Sequence, residues 1–100
     1  MIFMDIEYPK ILFIDDEKGL RLGTEKLLKK KRFDVVCAEK GEKGIQLGTQ
    51  FEFDVVLIDL NMPDINGLSV LKQLISLKPN TVYFIVTAYG SYESAIEATR

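Results

Sequence analysis

The sequence predicts an α/β domain built on a doubly wound parallel sheet, and three observations carry that prediction. Short apolar, β-branched runs alternate along the chain with longer segments of helical period. The strand candidates are continuously apolar rather than alternating, the pattern of strands covered by helices on both faces. Three of these strand candidates run into oxygen-bearing side chains, and in a parallel sheet all strand C-termini lie along one edge.

The elements follow in order. Residues 1–9 mix apolar residues with Asp5 and Glu7 and read as a short lead-in, without the basic start and continuous apolar run of a secretory signal. The domain is expected over residues 10–100. Its strands are expected at Lys10 to Ile14, Phe33 to Ala38, Asp54 to Ile58 and Thr81 to Val86. Leu20, Thr24, Leu27 and Leu28 form a first helical stripe. Glu42 to Thr49 is a weaker helix, because Gly44 and Gly48 each cost about 1 kcal/mol against Ala, unless they serve close packing. Leu71, Leu74 and Ile75 form a further stripe, preceded by Gly67 and closed by Pro79. Ser91 caps a last helical pattern carrying Ala95, Ile96 and Ala98. That pattern reaches Arg100 with no Gly, Asn or Pro to end it, so the expectation is a chain cut from something longer.

Composition narrows the function classes. One hundred residues make one domain, and 47% hydrophobic with 28% charged residues is the balance of a globular chain rather than a disordered one. The apolar runs fall well short of the roughly 20 residues that a membrane span needs. With a formal net charge of -2 and no basic face interleaved with aromatics, direct nucleic-acid binding has no support. The basic run Lys29 to Arg32 is expected to complement the dipole at a helix C-terminus. A lone Cys37 within an apolar strand reads as a small buried hydrophobe and fits a reducing cytoplasm.

The chemistry sits at the strand ends. The first strand runs into Asp15 and Asp16, the third into Asp59 and the fourth into Thr87. Taken singly, each has an ordinary structural role: the acidic pair as helix cap, Asp59 as turn former, Thr87 as strand terminator. Together they point to one crevice. If the second strand lies outside the first, the winding reverses between the first and third, which is where doubly wound sheets bind ligands. Three carboxylates gathered there repel one another, so a proton or a cation must be held among them. A hard divalent ion such as Mg²⁺ suits oxygen ligands and a phosphoryl group, and one carboxylate would then act as nucleophile to give an acyl phosphate.

The loop Asn61-Met62-Pro63-Asp64-Ile65-Asn66-Gly67 adds a rigid turn at Pro63 and a backbone release expected at Gly67. Together, Ile14-Asp15-Asp16-Glu17, Val56 to Pro63 with Asp64 and Gly67, and Val86-Thr87-Ala88-Tyr89-Gly90-Ser91 resemble the receiver domains of response regulators in two-component signalling. The resemblance spans the chain from Lys10 onward. It implies Asp59 as phosphoacceptor, Asp16 as a direct Mg²⁺ ligand, Asp15 as a ligand acting mainly through water, and the backbone carbonyl of Asn61 completing the metal site. Thr87 is similar to the family's switch hydroxyl, and Asn61 and Tyr89 occupy the positions that tune hydrolysis of the acyl phosphate. A sensor histidine kinase is the implied donor, an output domain the implied effector and the cytoplasm the implied location. Residues from Thr87 onward look most like receivers of transcriptional activators that carry an ATPase domain.

Family members add a fifth strand ending in a lysine that bonds the phosphoryl group, then a fifth helix. No lysine follows Lys78. The resemblance therefore implies an incomplete, flavodoxin-like receiver of four βα units in strand order 2-1-3-4, with impaired phosphorylation but persisting Mg²⁺ affinity. The apolar fourth strand, Val82 to Val86, is then expected to act as a self-associating edge. Two other readings stand beside the signalling switch. One is a dissected or engineered fragment without signalling activity. The other is a phosphatase or phosphotransferase, disfavoured because Asn61 stands where such enzymes place a second acid.

Overall fold

The computed structural model describes residues 7–87. The helix expected from Ser91 to Arg100, Tyr89 and most of the lead-in lie outside the described residues. The elements run β1 (Lys10–Ile14), α1 (Lys18–Lys30), β2 (Asp34–Ala38), α2 (Gly41–Gln50), β3 (Val55–Asp59), α3 (Gly67–Leu77) and β4 (Val82–Val86). Every expected strand falls within one residue of its place. The four strands are parallel in the order β2-β1-β3-β4, the predicted doubly wound arrangement. The winding reverses between β1 and β3, so the ends of these two strands are direct neighbours. No helix among the described residues is long and apolar enough to cross a membrane.

The two faces of the sheet are filled differently. Under α2 and α3, Leu12, Ile14, Val56, Ile58, Val70 and Leu74 pack into one core and are almost wholly withdrawn from solvent. Burial of this kind contributes roughly 1.5–3 kcal/mol per large aliphatic side chain. The glycines that weaken α2 by propensity serve close packing instead: a Cβ on Gly44 would stand 2.3 Å from Cδ1 of Ile14. On the other face α1 packs over β1 and β2. None of its residues is fully buried, and Leu20 and Leu27 of the expected stripe remain exposed. The stripe is real, but among the described residues only the flank carrying Arg21, Thr24, Glu25 and Leu28 is partly covered.

The turn from α1 into β2 holds a feature that the sequence conceals. Arg32 adopts φ 67°, the left-handed region, and is the one non-glycine residue to do so among those described. Its N–H donates to Lys29 O and that of Phe33 to Leu28 O, both at 3.0 Å, the paired bonds of a Schellman motif. Glycine is the usual residue at that position.

Candidate functional site

Asp15 follows β1 directly and Asp59 is the last residue of β3. Because Ile14 pairs with Ile58 in register, the two aspartates stand side by side at the C-terminal edge of the sheet. Both are buried, at 2% and 7% exposure, whereas Asp16 is open to solvent. One carboxylate oxygen from each of Asp15, Asp16 and Asp59 lies within 4.8 Å of the other two. The acidic residues that the sequence placed in one crevice are therefore together.

Asp15 and Asp59 are each held by the backbone two residues on. The Asp15 N–H donates to Ala38 O at 3.0 Å, and Asp15 Oδ1 accepts the Glu17 N–H at 2.8 Å. Glu17, not the aspartates, caps α1, its carboxylate accepting from the N–H groups of Gly19 and Leu20 at 3.1 and 2.6 Å. The acidic pair is thus left for another role. Arg21, one turn into α1, reaches back to donate from Nη1 to Asp15 O at 2.9 Å. Asp59 Oδ1 accepts the N–H of Asn61 at 3.3 Å.

The loop between β3 and α3 is held at several points. Leu60 N–H donates to Val86 O and Gly67 N–H to Leu60 O, each at 2.9 Å, while Asn66 Oδ1 caps α3 by accepting from Leu68 at 2.8 Å. Gly67 does not release the backbone through a positive φ, as its place in the loop had implied. It is required for contact: a Cβ there would lie 2.2 Å from the backbone oxygen of Asp59. Thr87, half-buried, follows β4 one residue beyond Val86, the partner of Asp59 in register.

Electrostatics mark the same spot. Burial pushes the Asp59 carboxyl up to about 6, with the charge of Asp15 adding to it, the Asn61 N–H opposing it, and a hydrogen bond and charge from Asp16 adding again. Asp15 is also raised, first by burial, against the Glu17 N–H, and further by the charges of Asp16 and Glu17. Two buried carboxyls displaced in this direction favour either a proton or a cation. A hard, oxygen-seeking divalent ion fits the donor set.

A concavity of about 700 Å³ opens at the opposite edge, lined by Tyr8, Lys10, Glu52, Phe53, Asp54 and Thr81 among others. Two of its three carboxylates are already engaged, Asp54 with the Lys10 N–H and Glu52 with Lys78. The unbalanced charge, and with it the chemistry, sits at the C-terminal edge. Sequence reasoning assigned no role to two contributors there. Arg21 carried a spacing signal, since six residues from Asp15 is within reach of one helical turn. Asp64 was quoted as a motif residue, but nothing in its spacing announced the bonds it makes to backbone groups 22 and 23 residues earlier.

Comparison with known proteins converges on one family. Residues 11–100 match the model of the response regulator receiver domain. The cell cycle response regulator CtrA of Brucella ovis is 33% identical over 87 residues, which are 87% of this chain and 38% of that protein. The chain thus spans a little over a third of the length of such relatives. The receiver domain of the Francisella response regulator 1452 superposes with TM-score 0.81 at 32% identity, covering 91% of this chain and 75% of that one. The Thermotoga maritima response regulator TrrA, in complex with Mg²⁺-BeF, gives TM-score 0.81 at 28% identity, covering 91% and 79%.

Proposed function

Because the chain belongs to the response regulator receiver domain family, we propose that it is the phosphoryl-accepting switch of a two-component system, with Asp59 as the acceptor. The convergence of Asp15, Asp16 and Asp59 at the β1/β3 winding reversal carries the reading. A carboxylate oxygen of Asp59 attacks the phosphorus of a phosphohistidine on a sensor kinase. The P–N bond breaks, the acyl phosphate forms on Asp59, and the departing imidazole takes up a proton. Asp15, Asp16 and Asp59, with the backbone carbonyl of Asn61, would hold Mg²⁺, which when bound neutralises charge on the transferring group. TrrA, with its Mg²⁺-BeF, supports that choice of ion.

Around that step the chain's own residues position and restrain. Glu17 spares Asp15 from capping α1, and the Arg21 guanidinium steadies the Asp15 backbone. The Asn61 N–H orients the Asp59 carboxylate. Thr87, beside Asp59 on the neighbouring strand, is assigned the hydroxyl that reads the modified state and passes it to an output domain. Such a switch performs no turnover beyond hydrolysis of its own acyl phosphate, and it works in the cytoplasm. Half-exposed Val82 and Phe84 on β4, at 51% and 53%, support a further partner, a second copy of the chain, which size-exclusion chromatography would reveal as a dimer.

The deciding experiment is treatment with acetyl phosphate followed by peptide mass spectrometry. A phosphoryl group on Asp59, dependent on Mg²⁺ and absent from Asp59→Asn, is the expected result. Label on another residue, or equal labelling of Asp59→Asn, would overturn the reading.

A further inference from the structure

α2 begins without a local cap. Lys40 occupies the cap position and offers its N-terminus no side-chain bond. The bonds come from Asp64 in the β3–α3 loop, whose two carboxylate oxygens accept from the N–H groups of Gly41 at 3.1 Å and Glu42 at 2.9 Å. Those backbone bonds hold the Asp64 carboxyl below its ordinary range, although its own burial opposes them. The next residue seals the joint. Ile65 lies so close to Gly41 that a Cβ on that glycine would stand 1.9 Å from Ile65 Cγ2. Ile65 also packs against the core formed under α2 and α3.

The clamped loop is the one whose second amide, that of Asn61, touches the acceptor. Between Asn61, bonded to Asp59 Oδ1, and Asp64, bonded to α2, lie only Met62 and Pro63. Pro63 fixes its own φ, so little slack remains between the two anchors. Three of the loop's restraints act at its ends, at Leu60, Asn66 and Gly67. Asp64 restrains its middle. Without that anchor, Asn61 is held by its 3.3 Å bond to Asp59 and by the packing of Met62 and Ile65 against the core, with no hydrogen bond described between the middle of the loop and α2.

We infer that Asp64 is a positioning residue for the acidic site: by clamping the β3–α3 loop to the N-terminus of α2, it fixes the direction in which Asn61 presents its backbone to Asp59 and to a bound cation. The inference rests on the metal-binding half of the function proposed above. A clamp of this kind works in both directions, because coupling between two sites is reciprocal. Ion binding at the acidic edge should then tighten the first turn of α2.

Calorimetric titration of the full chain with Mg²⁺ alone tests this, on Asp64→Ala, Asp64→Asn and Asp54→Ala. Asp54→Ala removes a comparable carboxylate–backbone bond, to the Lys10 N–H, at the far edge of the sheet. Asp64→Ala is expected to weaken Mg²⁺ binding roughly fivefold to tenfold, Asp64→Asn about twofold because one acceptor oxygen remains, and Asp54→Ala not at all. Hydrogen exchange gives a readout that a merely structural cap would not move: saturating Mg²⁺ should slow exchange at Gly41 and Glu42 in the wild type and leave it unchanged in Asp64→Ala. A folded Asp64→Ala with wild-type affinity overturns the inference. Should Asp64→Ala not fold, Asp64→Asn decides in its place, and wild-type affinity there overturns it equally. A wild type that binds no Mg²⁺ defeats the metal-site reading, and this inference with it, a result distinct from retained affinity in the variants.

Discussion

At the N-terminal edge of the sheet Asp54 Oδ2 accepts the Lys10 N–H at 2.8 Å, Thr81 Oγ1 donates to Phe53 O at 3.0 Å, and Lys78 pairs with Glu52. At the C-terminal edge Asp15, Asp16 and Asp59 bring oxygens within 4.8 Å of one another, with no lysine among their bonded partners in the described residues. The same side-chain chemistry serves opposite ends. One edge satisfies its polar groups and adds stability, about 1 kcal/mol for a typical hydrogen bond. The other holds like charges in partial burial, which costs stability until a cation or proton arrives. A domain of this size can carry such a cost only because the core beneath α2 and α3 is closed.

The largest effect should come from filling the space behind the acceptor. In Gly67→Ala the new Cβ meets backbone, the Asp59 oxygen at 2.2 Å and Leu60 Cα at 2.8 Å, and backbone cannot swing aside as a side chain can. A loss of about 3 kcal/mol or more in urea unfolding is expected, together with weakened Mg²⁺ binding, because relief of the clash displaces Asp59 itself. Gly23→Ala is the matching control. Nothing lies within 4 Å of a Cβ there, and the helix interior of α1 should gain up to about 1 kcal/mol. Equal responses from the two variants would erase the distinction between the edges.

Asp59→Asn should sharpen the distinction by stabilising the fold. In the folded chain the carboxyl is pushed up to about 6, whereas in the unfolded chain it titrates near 3.9. Below pH 4 both states are protonated and the wild type carries no penalty. As pH rises towards 6 the unfolded state ionises first, and the folded wild type loses stability relative to the variant. At pH 7 without Mg²⁺ the variant should be more stable by about 1–3 kcal/mol, a gain absent near pH 3.5. Saturating Mg²⁺ should narrow or reverse it by stabilising the wild type alone. A variant less stable than wild type at pH 7 without Mg²⁺ would show that the C-terminal edge is not under charge strain.

The contrast between edges also explains what could be read from the residues. The strands and the meeting of Asp15, Asp16 and Asp59 were legible because continuous apolar runs define a parallel sheet, and such a sheet aligns its strand ends on its own. Gly67 was singled out correctly as necessary, but for the wrong cause, since close approach between segments leaves no local trace. Asp64 reaches α2 across 22 residues through a contact that only the folded loop creates. Leu20 and Leu27 have the spacing of a buried stripe and are 39% and 53% exposed, because α1 covers β1 and β2 and the α1 side of β3 and β4 stays open among the described residues. Periodicity says which face of a helix is apolar and not how much sheet that face covers.

The smallest effect concerns backbone strain away from the site. Arg32, entering β2 at the N-terminal edge, holds φ 67° so that its own N–H and that of Phe33 can close the end of α1. A side chain in that region costs about 1 kcal/mol relative to glycine, and glycine in turn gives up more freedom in folding. The net for Arg32→Gly is a gain of about 0.5 kcal/mol, read as a shift of the urea midpoint with unchanged slope. Mg²⁺ affinity should stay at the wild-type value, because no bond runs from Arg32 to the acidic edge among the described contacts. If relaxing this turn altered the metal site as well, the two edges would be coupled through β1 and β2, and the division of labour between them would have to be redrawn as one cooperative unit.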